Sequence, residues 1–467
     1  MKISKVILTL AAILLILGLI AVIFPKNGVQ VGGLNLQFPS LNEVFFEEKP
    51  QYADIDSIVE QEEEEKSEDK ETKQVKIKED NLVDIELPEN NPMYLDNFFA
   101  SLDSINTYNN KVRVIHYGDS QIESDRITSY IRSRLQGEFG GVGQGLIPLY
   151  SLSNVKNVTF TYSNGWDFYS IIDNKKTSFH NYGLMQSAVK FISENHTDSL
   201  GNETIIQDSA IITLNFARAV SGDITLYYQN TNESLEFDFF TKEKNLLNGN
   251  IQTANGLSKI PVTLKEPIKT LTMQFKGEVE LYSLDFSSKS GVYVDNVSLR
   301  GSSGWGFNKN NAEFLKSMSE KLNVRLIILQ FGVNAVPQNE QEIMPSYQFY
   351  KVQLVKQINF LKKTNPNAAI IVIGISDRSR KKSNGYETNP NIPMILAAQQ
   401  NAAKECGVAF WNLFEAMGGE NSMPSWVLRE KPLANTDFTH FNDRGAKYVG
   451  EMFYKALENA YINYKNK

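Results

Sequence analysis

The stretch "VIHYGDSQIES", Val114 to Ser124, decides how this chain is read. Val112 to Tyr117 is an apolar run that reads as a buried strand, and it ends in Gly118-Asp119-Ser120. A polar stretch and a helical pattern follow, with Ile127, Tyr130, Ile131 and Leu135 on one face. Gly, Asp and Ser are ordinary turn and N-cap residues. A strand-to-helix turn at the carboxyl edge of a parallel sheet, however, also exposes a hydroxyl beside helix N–H groups. Ser120 is therefore a candidate nucleophile whose partners must be found elsewhere in the chain.

Outward from this stretch the sequence has two textures. Strand alternates with helix around Ser120 and again from Val292 onward: "VYVDNVSLRG", "NAEFLKSMSEKL", "VRLIILQFG", then a long amphipathic stripe through Tyr347, Tyr350, Leu354, Val355, Ile358 and Leu361. Asn365-Pro366 stops that helix, "AAIIVIGIS" and "VAFWNLF" read as further strands, and "NDRGAKYVGEMFYKALENAY" closes as a helix. Such alternation implies a mostly parallel sheet with helices on both faces. Between Ser151 and Ser290 the texture changes to short alternating runs such as "NVTFTYS", "AIITLNFA", "DITLYYQ" and "VELYSLDF", separated by Asn, Gly, Asp and Ser. That pattern predicts an all-β sandwich, inserted at 151–290 into an α/β domain formed by 92–150 and 291–467.

A serine nucleophile needs a base and a group that orients the base. The chain has four histidines. His116 lies inside the first strand, and His180 and His196 fall in the β-rich segment. His440 sits in "NTDFTHFNDRG", a polar loop before the last helix, with Asp437 three positions earlier. An Asp-x-x-His turn can present the imidazole and hold its Nδ1 side with the carboxylate. Charge developing on a carbonyl oxygen needs donors already in place. Asn334 in "QFGVNAV" and a glycine amide in "LRGSSGWG" fit that need, with Gly301 and Gly304 competing for the second place.

Gly118-Asp119-Ser120, the Gly301 turn, Gly332-x-Asn334 and Asp437-x-x-His440 follow the order of the four sequence blocks of the SGNH (GDSL-like) hydrolases, and the chain resembles that family over about 91–151 and 292–467. The resemblance implies a flavodoxin-like sheet and acyl-ester chemistry. It makes Ser120 the nucleophile, His440 the general base and Asp437 its partner. The Ser120 amide, the Gly301 amide and the Asn334 side chain would form the oxyanion hole. Gln121 departs from the Leu of the name motif. The opening stretch, with "GVGQGLIPLY", looks more like the branch that acts on O-acetylated cell-wall or exported polysaccharides, in which a β-sandwich similar to a carbohydrate-binding module recurs. An esterase releasing acetate from peptidoglycan or another acetylated polysaccharide is the expected activity, with no cofactor and no metal. An O-acetyltransferase with the same triad and a non-catalytic glycan-binding protein are the rival readings. Trp166 and Trp305 are candidates for sugar stacking, and Arg378 or Arg380 for the cleft wall.

Bulk composition bounds these readings. The chain of 467 residues is 42% hydrophobic and 11% aromatic, which is globular, and its net charge of −7 argues against nucleic acid as the main partner. The single Cys406 excludes an internal disulfide and a cysteine-based zinc site. After Lys2 and Lys5, Val6 to Phe24 is uncharged and apolar; as a helix it spans roughly 28 Å, about a bilayer core. Segment 1–24 is expected to be an uncleaved single-pass anchor, its lysines holding the N-terminus in the cytoplasm and the remainder on the periplasmic side. That topology also admits a membrane-bound acyltransferase as a partner. Residues 25–91 are expected to be an acidic flexible linker, since Glu60 to Asp80 holds ten acidic and five basic residues, a local net of −5. Within it "VGGLNLQFPSLNEVFF" is more apolar, a stretch that could dock on a partner.

Overall fold

A computed structural model of the chain describes residues 3–25, 29–31, 34–36, 38, 51–56, 58–59, 82–173, 178–192, 194–197, 203–230, 234–252 and 254–467. Five strands, β1 (Lys111–Gly118), β2 (Gly291–Ser298), β3 (Val324–Gln330), β4 (Ala369–Ile373) and β5 (Ala409–Trp411), form an all-parallel sheet in the order β2-β1-β3-β4-β5. This is the flavodoxin-like order, and it leaves a crevice beyond the carboxyl ends of β1 and β3, where the winding reverses. Among the described residues, the helices of eight residues or more are α1 (Ile3–Ile23), α2 (Asp96–Asp103), α3 (Thr128–Phe139), α4 (Ala312–Lys321), α5 (Gln348–Thr364), α6 (Asn391–Cys406) and α7 (Asp443–Lys465).

Side-chain alternation explains why the sheet is covered twice. From β1, Val112 and Val114 enter a core with Ile131 and Leu135 of α3 and Tyr448 and Val449 of α7. Ile115 and Tyr117, pointing the other way, join Leu315 of α4, Leu354 and Ile358 of α5 and Ile392 and Ile395 of α6. A strand buried on both faces has to be apolar almost throughout, which is how β3 and β4 read in the sequence.

Most of the β-rich segment belongs to one antiparallel sheet of nine strands, and Glu194–Thr197 pairs with Glu203–Gln207 as a separate hairpin. Two strands are far longer than their sequence patterns suggested. Ser209–Asn230 and Ala254–Lys276 pair along their lengths through register shifts between Asn215 and Val220 and between Val220 and Gly222. Such irregularities bend a strand without ending it. The sheet encloses its own core of Leu214, Phe216, Leu226, Phe239 and Met273, with Trp166 buried at its edge. It also recruits Gly145–Pro148, ahead of the Ser151 boundary, as a partner of Val279–Phe286.

A buried ion cluster joins the two sheets. Arg113 of β1 donates through Nη1 to both oxygens of Asp295 on β2, at 2.9 and 2.7 Å, and through Nη2 to Asp285 of the antiparallel sheet at 2.8 Å. Asp295 also accepts the Leu146 amide at 2.8 Å. None of the three side chains is more than 1% exposed. Removing one partner of such a set leaves a buried charge uncompensated.

Region 25–91 is not a linker throughout. Ile55, Ile58, Val59 and Ile85 are buried in the core shared with α3 and α7. Ser425 Oγ donates to the Ala53 carbonyl at 2.6 Å. Glu86 exchanges backbone hydrogen bonds of 2.8 and 2.9 Å with Phe410, so it covers the free edge of β5. The neighbouring charge run masks these interspersed apolar residues in the sequence, and in the fold they fill a groove and an unpaired strand edge. The charge run Glu60 to Asp80 and most of "VGGLNLQFPSLNEVFF" lie outside the described residues; Val29–Val31 and Leu34–Leu36 pair as a short hairpin. α1 contains one span, Lys5–Ile23, long and apolar enough to cross a membrane, with mean hydropathy 3.2.

Candidate active site

Ser120 opens a turn of 3-10 helix directly after β1. Gly118 is required just before it, because a Cβ there would lie 2.9 Å from the Gln330 carbonyl of β3 and from the Ile122 side chain. Asp119 caps the turn by accepting the Gln121 amide at 3.0 Å. At the opposite end of the chain, Asn435 to His440 fold into a closed loop: the Asn435 amide donates to the His440 carbonyl at 2.8 Å, and the Phe438 amide donates to the Asn435 carbonyl at 3.1 Å. Phe438 adopts φ 53°, a left-handed conformation costly for a non-glycine residue, and stacks on Tyr386 with centroids 3.5 Å apart. Asn442 caps α7 by accepting the Gly445 amide at 2.9 Å.

The fold brings Ser120, His440 and Asp437 into one relay. Ser120 Oγ lies 2.8 Å from His440 Nε2, and His440 Nδ1 lies 2.8 Å from Asp437 Oδ2. An ionised carboxylate only accepts, so Nδ1 must carry the proton and Nε2 is left to accept from the serine hydroxyl. The other carboxylate oxygen accepts the amides of Thr439 and His440, both at 3.0 Å. Partial burial pushes the Asp437 carboxyl up. Hydrogen bonds from the His440 ring and from those two amides outweigh this and hold it at about 2.

Asn334 follows β3 and Gly301 follows β2, and both line the cleft that Ser120 and His440 open into, about 650 Å³ in volume. Asn334 Nδ2 donates one hydrogen to the Ser302 carbonyl at 3.1 Å, which fixes the amide plane and leaves its second hydrogen free to serve a ligand. Gly301 has φ 81°, and a Cβ built there would meet nothing within 4 Å. The Gly304 amide instead donates to Ser302 Oγ at 3.1 Å, so of the two glycines Gly301 is the one facing the cleft.

Sequence reasoning missed several cleft residues. Arg126, six positions after the serine, donates to the Ser120 carbonyl at 2.6 Å and the Phe441 carbonyl at 2.8 Å, bridging the two ends of the relay. Glu123 and Arg300 face each other at 3.5 Å, and Glu340 lies 3.7 Å from Arg378. Their charge and their closeness to the motifs were visible for Glu123, Arg126 and Arg300; nothing local marks Glu340. Arg378 lines the cleft and donates to the Val333 carbonyl at 3.2 Å, whereas Arg380 pairs with Glu387 on a separate hairpin. Trp305 is 38% exposed and packs edge-on to Phe349, while Trp166 belongs to the core of the antiparallel sheet. His116 is fully buried between Gln330 and Thr128, His180 is exposed and bonded to the Lys309 carbonyl, and His196 lies on the strand Glu194–Thr197.

No protein-family model matches the sequence, and no curated protein does. Among solved structures, a peptidoglycan O-acetylesterase is similar over 79% of this chain and 96% of its own, at TM-score 0.59 and 18% identity. The acetyl xylan esterase AlAXEase aligns over 36% of this chain and 81% of its own, at 15% identity and TM-score 0.29. A carbohydrate esterase family 2 enzyme with a carbohydrate-binding domain, from Corynascus thermopiles (Myceliophthora fergusii), aligns over 63% and 99%, at 10% identity and TM-score 0.27. The first of these shares its fold with this chain.

Proposed function

We propose that this chain is an SGNH-type serine esterase that removes O-acetyl groups from an exported or cell-wall glycan. One observation carries the reading: the continuous Ser120–His440–Asp437 relay, 2.8 Å at each link, at the mouth of a cleft lined by Gly301 and Asn334. Ser120 Oγ attacks the acetyl carbonyl carbon and passes its proton to His440 Nε2. The negative charge that develops on the carbonyl oxygen is met by the Ser120 and Gly301 amides and Asn334 Nδ2. Collapse breaks the ester bond, the sugar oxygen leaves with the proton from His440, and the acetyl group remains on Ser120. Water, deprotonated by His440, then attacks the acyl-serine and releases acetate. Asp437, held ionised, stabilises the imidazolium in both halves of the cycle.

In the same reading 151–290 is an inserted β unit of the kind that accompanies glycan-active enzymes, and 1–24 anchors the chain in a membrane with the esterase on the outer side. The resemblance of the fold to a peptidoglycan O-acetylesterase supports acetylated peptidoglycan or a related polysaccharide as substrate. Incubation with a small acetyl ester followed by mass spectrometry should find one acetyl group on the Ser120 peptide, absent after Ser120→Ala, together with free acetate. Acetyl groups appearing on an added oligosaccharide, with negligible free acetate, would replace water by a sugar hydroxyl as acceptor. Full turnover by Ser120→Ala would sink the reading altogether.

A further inference from the structure

Gln121 stands where the family's name motif has leucine, and it faces away from the cleft. Its side chain is 2% exposed and reaches the backbone on both sides of His440. Nε2 donates to the Thr439 carbonyl at 2.8 Å and to Ser376 Oγ at 3.3 Å, and Oε1 accepts the Phe441 amide at 3.3 Å. A primary amide offers a donor and an acceptor in one plane, so it pairs with an extended backbone much as a neighbouring strand would. The residue next to the nucleophile thus grips the residues flanking the base, 318 and 320 positions away in the chain. Leucine can do neither, having no polar atom.

We infer that Gln121 is a positioning residue: it sets where His440 Nε2 sits relative to Ser120 Oγ by holding the 439–441 backbone to the nucleophile turn. Asp437 orients the ring from within its own loop, whereas Gln121 locates the whole loop. Arg126 provides a second tie from Ser120 to Phe441 on the cleft side, so the Gln121 pairing governs placement rather than attachment of the loop. The inference rests on the esterase reading, because only a proton transfer between Ser120 and His440 makes their separation matter.

The test uses the full-length chain, with Gln121→Met removing all three side-chain hydrogen bonds at nearly constant length and Gln121→Glu keeping the acceptor alone. For Gln121→Met, kcat on a small acetyl ester should fall about 10²-fold with KM nearly unchanged, as a misplaced catalytic group predicts. On an Asp437→Ala background, where the ring is already misoriented, the same change should cost no more than about threefold, because two residues acting through one group are not additive. Undiminished kcat in Gln121→Met, or the full loss repeated on the Asp437→Ala background, would overturn the inference. If Gln121→Met lacks a cooperative melting transition, Gln121→Glu decides: reduced kcat with the melting temperature retained supports the role, and unchanged kcat removes it. An inactive parent protein would strike the esterase reading itself, whereas an active parent with additive Gln121 losses strikes only this one.

Discussion

Two aspartates serve the relay, one in each of the loops that form it, and they are tuned in opposite directions. Asp119 precedes the nucleophile and is 1% exposed; Asp437 precedes the base, and its side chain is 49% exposed. The Asp119 carboxyl accepts the Gln121 amide and lies near the amides of Gly332 and Val333, whereas Asp437 accepts from the His440 ring and from the amides of His440 and Thr439. Burial nevertheless pushes Asp119 up to about 7, while Asp437 is held at about 2. The difference comes mainly from solvent: Asp119 is stripped of water, and the neighbouring amides and the His440 ring do not offset that desolvation cost. Asp437 is therefore a dependable counter-ion for an imidazolium near neutral pH. The Asp119 amide donates to the Gln330 carbonyl at 3.2 Å and so fastens the β1 turn to β3, while burial pushes its carboxyl up.

The comparison breaks most readily at Asp437. Asp437→Asn should lower kcat about 10⁴-fold, because an amide no longer enforces the productive tautomer or balances the imidazolium. A loss under about tenfold would mean that Asp119 takes over the role, contrary to its burial. Next is Asn334, carried on the turn that Asp119 fastens. Asn334→Ala should cost about 10²- to 10³-fold in kcat, the range for one oxyanion donor, with KM moving little. Asp119→Ala comes third and acts mainly on stability. The buried Gln121 amide loses its acceptor, so unfolding in urea should show a loss of about 1–3 kcal/mol. A denaturation midpoint equal to the parent's would show that water or relaxation replaces the carboxylate there.

The smallest effect is on the pH dependence of stability, and the two residues should give opposite slopes. Asp437, held below its ordinary value near 3.8, contributes stability that is present above about pH 4 and lost as pH falls toward 2. Asp119, held above that value, binds its proton more tightly when folded, so stability falls as pH rises from about 4 to 7. Melting temperatures of the parent and Asp119→Asn across that range should converge at the acid end and separate toward neutrality, with the parent the lower. Parallel curves would contradict the assigned burial of Asp119.

The fold was legible where the signal is local. Alternation of β1, β3 and β4 with the stripes of α5 and α7 predicted a parallel sheet covered on both faces, since each pattern reports only which face of an element is buried. Two elements were misread for the same reason. "AIITLNFA" and "DITLYYQ" are separate runs by composition, yet Ser209–Asn230 continues through both because its partner strand shifts register with it. Ile55, Val59 and Ile85 are too few to signal a packed segment beside so much charge, and only the groove that receives them reveals their role.

The site divides along the same line. The sequence by itself determined which chemical groups are available and in what order: a hydroxyl at the end of one buried strand, an amide after another, and an Asp-x-x-His turn whose spacing alone lets the carboxylate reach Nδ1. It also fixed the period that buries each strand. The tertiary structure decided that Ser120 meets His440 across 320 residues, that Gly301 rather than Gly304 faces the cleft, and that Arg113 ties two sheets through Asp285 and Asp295. It also decided the ionisation of the two aspartates. A hydrogen bond within three residues is a property of the local chain, but exclusion of water from Asp119 depends on β3 and its turn, more than two hundred residues further on, and no local pattern encodes that.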